Sequence, residues 1–305
     1  MKRLLIFLVF VFHYSFTSHG QRSPFEADTS FNKNRTALTS SLIGTGWAGS
    51  IIALKEIWYK ESLTGNFHVE GDLNQWAQMD KMGHIYAGQL ISSNVYNAYR
   101  WSGVKKNTSL ILGAATGIGY LASFELLDGY SDQWGFSWSD FGANTLGVLW
   151  FTTQEMLWEE EYFKLKFSVH PSPYAQYRPE VLGSTLPERF LKDYNGQTYW
   201  ISAAPGHFIF GQSNFPKWLS ISFGYSVDEK LVGDQNYFEY ADQGNIQTMF
   251  NARRQYFFSL DIDFEQIPTS KSWVKTIYRI LNHVKVPFPA VEFSGNQVKF
   301  HPVYF

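Results

Sequence analysis

The chain has 305 residues, 27 acidic against 25 basic for a net charge of −2, no cysteine, and 18% Phe, Trp and Tyr beside only 17% charged residues. A balance so close to neutral excludes a polyanion partner, because nucleic-acid binding needs clustered Lys and Arg to release counterions. The absence of cysteine excludes a disulfide framework, a thiol nucleophile and an N-terminal lipid, while the aromatic excess suits a membrane interface, a sugar site or a large core.

In chain order, residues 1–20 read as a signal peptide. Lys2 and Arg3 give a positive start, Leu4 to Phe12 an apolar run too short to cross a bilayer, and Ser18 and Gly20 the small residues that a signal peptidase reads before Gln21. Residues 21–160 read as a helical region of about four helices, near 39–60, 80–101, 108–127 and 139–160, with a polar connection over 61–79. Each carries Lys, Glu or several Gly, Ser and Thr, so none is a clear membrane span. In the third helix Gly113 and Gly117 share a face and predict close approach of a neighbouring backbone.

Polar residues cluster in this half. Asp80, His84 and Gly88 form one stripe on the second helix, with Lys81 beside them. Glu125 and Asp128 point the same way at the end of the third, and Asp140, Asn144 and Gly147 line the fourth. Antiparallel packing through short loops brings these faces together near one end of a bundle. One imidazole among carboxylates could hold zinc, manganese or magnesium, or perform acid–base chemistry, with His84, Glu125, Asp128 and Asp140 as the candidate catalytic groups and Asp80, Lys81 and Asn144 as a supporting network. Structural readings compete: Asp80 as an N-cap, Ser137 with Asp140 as a capping box, Asp128 as a turn residue, and His84 as a buried hydrogen-bonding partner. Which metal, cofactor or small-molecule ligand the cluster takes stays open.

Residues 161–305 switch to a period of two. Phe163 to Val169, Leu219 to Val227 and Tyr256 to Phe264 alternate apolar and polar, with weaker strand signals at 174–177, 199–203, 208–210 and 298–305. One helix interrupts them, with Trp273, Val274, Ile277, Ile280, Leu281 and Val284 on an apolar stripe and Lys271, Lys275, Arg279, His283 and Lys285 around it; it either lies on an anionic membrane surface or packs on the sheet. The terminal Phe305 on an aromatic strand fits the end of an outer-membrane barrel, although Pro302 belongs at a sheet edge. The fold expected is α+β: the helical bundle, then antiparallel amphipathic strands in a small sheet or partial barrel with one amphipathic helix, the apolar face hidden from water.

The pattern Asp80-Lys81-x-x-His84-x-x-x-Gly88, Glu125-x-x-Asp128 and Gly135-Phe136-Ser137-Trp138-x-Asp140-x-x-x-Asn144-x-x-Gly147 resembles the YfiM-like family of bacterial envelope proteins. It looks most like longer members from Bacteroidetes-type bacteria, whose motifs match Ala48 to Ser50, Trp58 to Lys60 and Lys192 to Trp200. The resemblance implies an exported envelope protein; shorter members are predicted lipoproteins, and this chain has no cysteine to lipidate. The Asp-Lys-x-x-His arrangement is also similar to VanZ-like membrane proteins and carries no activity with it. No Gly-x-Ser-x-Gly elbow, phosphate-binding loop or His-Glu-x-x-His helix occurs, and Trp spacing does not suggest a glycan platform. Two functions are therefore expected to compete. One is a membrane-associated envelope protein with a structural or interaction role, with a membrane and an envelope protein as partners. The other is a metal- or acid/base-dependent enzyme acting on a lipid or cell-wall component.

Overall fold

The computed structural model describes residues 26–57, 59, 62–63, 65–208, 215–242 and 245–305. The expected signal peptide and most of the weak strand signal at 208–210 lie outside them. Four long helices come first: α1 (Lys33–Ile57), α2 (Met79–Trp101), α3 (Lys106–Gly129) and α4 (Trp138–Trp158). Ser137 caps α4 by accepting from the Asp140 amide at 3.0 Å, as the sequence predicts. Asp80 is not an N-cap: α2 starts after Gln78, and Asp80 sits in its first turn.

Small residues decide how closely the helices cross. A Cβ on Gly147 would lie 2.0 Å from the Ile85 carbonyl oxygen, and one on Gly88 would lie 2.4 Å from that of Asn144, so α2 and α4 touch backbone to backbone. On α3, a Cβ on Gly113 would meet the Ser92 carbonyl oxygen at 2.7 Å, which is the close approach expected from the Gly113 and Gly117 face. Polar side chains fill the interior of the bundle: Gln89, Ser92, Ser93, Glu125 and Asn144 are all buried. Ile111, Leu126, Leu146, Leu149, Met156 and Leu157 project outward. Among the described residues α3 is the helix long and apolar enough, by length and composition, to cross a membrane, and little of it is buried.

The second half forms a six-stranded antiparallel sheet from β1 (Phe163–Val169), β2 (Gln197–Ala203), β3 (Leu219–Asp228), β6 (Arg253–Ile262), β7 (Phe288–Ser294) and β8 (Gln297–Tyr304), in the order β8-β7-β6-β3-β2-β1. Strands β4 (Tyr237–Asp242) and β5 (Asn245–Asn251) pair as a separate hairpin. The protein is thus α+β. The sequence signals did not find β4, β5 or β7, and residues 174–177 form a bend and turn instead of a strand. Pro302 sits in the edge strand β8, where the register shifts between His301 and Tyr304.

The sheet is curled. Four inter-strand spacings of about 4.8 Å would hold β2 and β8 roughly 19 Å apart in a flat sheet. Yet Thr198 Oγ1 and Tyr304 Oη are 3.0 Å apart, and the Trp200 and Tyr304 rings 6.0 Å. The outer edge of β1 is covered by residues 283–285, which pair with Phe167 through its amide to the His283 carbonyl (3.1 Å) and the Lys285 amide to its carbonyl (3.0 Å). This is a partial barrel.

Its concave face is mostly polar, with an apolar cluster of Trp200, Phe257, Ala290 and Tyr304 among the polar groups. The Lys166 ammonium lies 3.0 Å from Asp261, which also accepts from Ser202 and Ser222, and Lys285 donates to the carbonyls of Leu260 and Val286. Gly224 leaves room for the Trp200 indole, whose Nε1 donates to Ser168 at 2.9 Å. On the convex face the register lines up Leu165, Ile201, Phe223, Phe258, Val291 and Phe300 across all six strands, and Phe167, Tyr199, Tyr225, Tyr256, Phe293 and Val298 beside them. The start of α2 covers the β1–β3 end of these rows, where Met79, Met82 and Tyr86 pack with Phe167, Tyr199 and Tyr225. Phe223 is 62% exposed and Phe300 67%. The buried side of the sheet thus holds most of the polar residues, and the chain itself leaves much of the apolar face uncovered.

Candidate functional site

Three consecutive residues before α2, namely Trp76, Ala77 and Gln78, have φ of 49°, 52° and 63°. Left-handed backbone costs a non-glycine residue about 1–2 kcal/mol, so tertiary contacts must hold this turn. The Trp76 amide donates to the Gly233 carbonyl, the Trp76 ring packs on Tyr194, and Tyr225 donates its hydroxyl to the Ala77 carbonyl. The turn aims the first α2 residues at the end of α3 and the start of α4.

Lys81 is the centre of charge. Its Nζ lies 2.7 Å from Asp72, 2.7 Å from Asp140 and 3.2 Å from Asp80, and the residue is buried. Ser137 and Ser139 each donate to Asp72 at 2.6 Å, and Tyr194, from the sheet half, donates to Asp80 at 2.8 Å. His84 stands one turn along: its Nδ1 is 2.9 Å from Asn144 Oδ1, and Asn144 Nδ2 donates to Glu125 at 3.4 Å. Against the Asn144 oxygen, Nδ1 acts as donor, which leaves Nε2 facing Asp80 at 3.7 Å and Asp140 at 3.6 Å, while Nδ1 is 3.6 Å from Glu125.

The cluster therefore unites Asp80, Lys81, His84, Glu125, Asp140 and Asn144. Asp128 takes a different partner, the Tyr59 hydroxyl at 2.6 Å, so it is a side-chain acceptor within α3 rather than a turn residue. Four participants were not among the sequence candidates: Asp72, Ser139, Tyr59 and Tyr194. Tyr59 and Tyr194 stand in motifs of the family resemblance, which is the signal that points to them. Asp72 lies in the irregular connection before α2, where no periodicity marks it.

Burial and charge set the protonation of the group. Burial, with the carboxylates of Asp140, Asp128 and Asp80 adding to it against the opposing charge of His84, pushes Glu125 up to about 8. Burial and Asp80 push Asp140 up to about 7, against the pull of His84 and Lys81. Asp128 rises to about 6 through burial, against the Tyr59 hydrogen bond. Burial alone would raise Asp72 and Asp80; hydrogen bonds from Lys81, Ser137 and Ser139 hold Asp72 well below the carboxylate range, and the charges of His84 and Lys81 hold Asp80 down. For His84 burial would favour the neutral ring, and the charges of Asp80, Asp140 and Glu125 outweigh it and raise the imidazole.

Asp80, His84 and Asp140 each offer a ligand atom within 4.8 Å of the others, a spacing that a divalent ion could bridge. The same two carboxylates already carry Lys81: its ammonium contacts Asp140 Oδ1 and Asp80 Oδ2, the oxygens nearest His84 Nε2. A metal bonded there at about 2 Å would sit beside an ammonium, so ligation requires Lys81 to withdraw. The donor set fits shared protons better than an ion.

A family described as predicted periplasmic lipoprotein (DUF2279) matches residues 67–153. That span runs from the connection before α2 into α4 and holds every candidate site residue predicted from sequence, while the sheet lies beyond it. The match supports an exported, envelope location for the chain. No curated protein and no solved structure matches it.

Proposed function

We propose that this chain is an outer-membrane-associated envelope protein with a structural or interaction role, a longer YfiM-like protein. In this reading residues 1–20 are its signal peptide, 21–160 its helical region and 161–305 its lipid-contacting region. One observation carries it: sheet and bundle turn polar side chains inward and leave apolar rows outside. Water would drive the opposite arrangement at about 25 cal/mol per Å² of apolar surface, whereas lipid does not penalise apolar exposure and does penalise open polar groups. Strands β3 and β6 have ten residues each, the length of a β-strand in a bilayer. Carbonate washing of envelopes should leave the chain in the membrane pellet; complete release into the supernatant would end the proposal. Replacing Phe223 and Phe258 by Ser should weaken retention.

A second reading is favoured by the convergence around His84. It is an enzyme acting on a lipid or cell-wall component, with His84 and Glu125 exchanging a proton, Asp140 and Asp80 orienting the imidazole, and Asp128 at the rim. The metal-dependent form requires stoichiometric zinc or manganese uptake that His84→Ala abolishes. The acid–base form expects calorimetric titration of either ion to show no such uptake.

A further inference from the structure

Helix α5 (Ser272–Leu281), between β6 and β7, has its two faces reversed relative to a helix packed on a water-soluble core. Its inward face is polar and fixed. Thr276 is buried, and Arg279 is held by Glu265 at 2.7 Å and Glu161 at 3.3 Å. Just beyond the helix, Asn282 donates to Asp263 and Glu265 at 2.7 and 2.8 Å, and Lys164 closes the same network onto Glu265 at 2.8 Å. Rotation that buried the other face would expose none of these charges without first breaking them apart. Trp273, Ile277, Ile280 and Leu281 consequently point away from the protein, each at least 40% exposed.

We infer that α5 lies in the interface of a lipid bilayer, with this stripe in the acyl region. The inference rests on the membrane reading and adds to it a second, helical contact. Three observations select lipid as the occupant. The stripe continues into the convex face of the sheet, since Val284 bridges Phe167 in parallel at the β1 edge and is itself 49% exposed. Trp273 at the N-terminal end has the amphipathic ring that favours the headgroup level. Lys271 and Lys275 flank the stripe, with Lys275 engaging Glu26, as expected where an interfacial helix borders headgroups. A helix of ten residues cannot cross a bilayer, so it lies along the surface.

The chain has no cysteine, so single reporters can be placed cleanly. An environment-sensitive fluorophore on Ile277→Cys, and separately on Phe223→Cys, is read with and without vesicles of phosphatidylethanolamine and phosphatidylglycerol. At position 277 emission should move to the blue only with vesicles and be quenched by nitroxide-labelled lipid. The double variant Ile277→Asp, Ile280→Asp should lose at least tenfold in vesicle affinity with unchanged circular dichroism and melting temperature, because neither side chain is buried. A quenched reporter at 223 with a water-exposed one at 277 would overturn the α5 inference and leave the membrane reading standing. Water-exposed reporters at both positions would sink both. A blue shift at 277 without lipid that grows with protein concentration would mean that a second copy covers the helix, and overturns the inference too.

Discussion

At the scale of single residues, Glu125 shows how far burial reshapes an ordinary carboxyl group. It is 1% exposed, shares Asn144 with His84, and is raised to about 8, with Asp140 and Asp128 raised to about 7 and 6. Each of these three binds its proton more tightly in the folded chain than in the unfolded one. Between the ordinary carboxylate range and the raised values the folded state therefore holds more protons, and stability falls as pH rises. His84, also raised, acts in the same direction: its contribution is complete below the ordinary imidazole value and lost as pH climbs through the folded one. Asp72 and Asp80, held down, contribute above the ordinary carboxylate range and lose that contribution only in stronger acid. Stability is expected to peak near about pH 5 and decline toward about pH 8. Glu125→Gln, which keeps the shape and removes the titration, should flatten that decline in urea unfolding at several pH values. A variant with the wild-type slope would show that Glu125 does not carry it.

Single residues also separate what was legible from what was not. His84, Asp140 and Asn144 were visible because helical spacing puts each on the stripe of its own helix that faces inward. Asp72 and Tyr194 were invisible as partners, since nothing local links an irregular connection or a tyrosine of the sheet half to the start of α2.

At the scale of elements, glycine sets the distances on which the cluster depends. Gly147 lets α4 approach until an added Cβ would stand 2.0 Å from the Ile85 carbonyl, one residue beyond His84, and the obstacle is backbone, which cannot rotate aside. Gly147→Ala should therefore separate α2 from α4 and lower stability by about 1–3 kcal/mol, the usual cost of overpacking. The His84 to Asn144 hydrogen bond, followed by the imidazole proton shifts in nuclear magnetic resonance, should weaken with it. An unchanged melting temperature would refute the account. Helix boundaries were read to within about three residues, because four long periodic runs reinforce themselves, except at the start of α1, which lies six residues before the expected Thr39. The ten-residue strands were legible for the same reason. Strand β7 was missed because Pro289 interrupts its short alternation, and β4 and β5 because their hairpin has no clear two-residue rhythm.

At the scale of the whole molecule, the polarity of inside and outside is the property that no segment reveals. Alternation in β3 and β6 fixes that one face is apolar and the other polar, and the periodicity of α5 fixes the same for a helix. Neither says which face looks inward, because a half-buried soluble sheet and a lipid-facing sheet have the same pattern. Strand order and curl decide it. Pairing β3 with β6 and folding β8 back over β2 put Lys166, Asp261, Lys285 and Trp200 in one enclosed space, where the ammonium groups find carboxylate and carbonyl partners. The local sequence thus determined the elements, their amphipathic character and the inward stripes of the bundle, because those depend on neighbours a few residues away. Only the tertiary structure decided that Lys81 would join three aspartates and that the apolar rows would stay outside, because buried charge is tolerated only where long-range folding brings its partners.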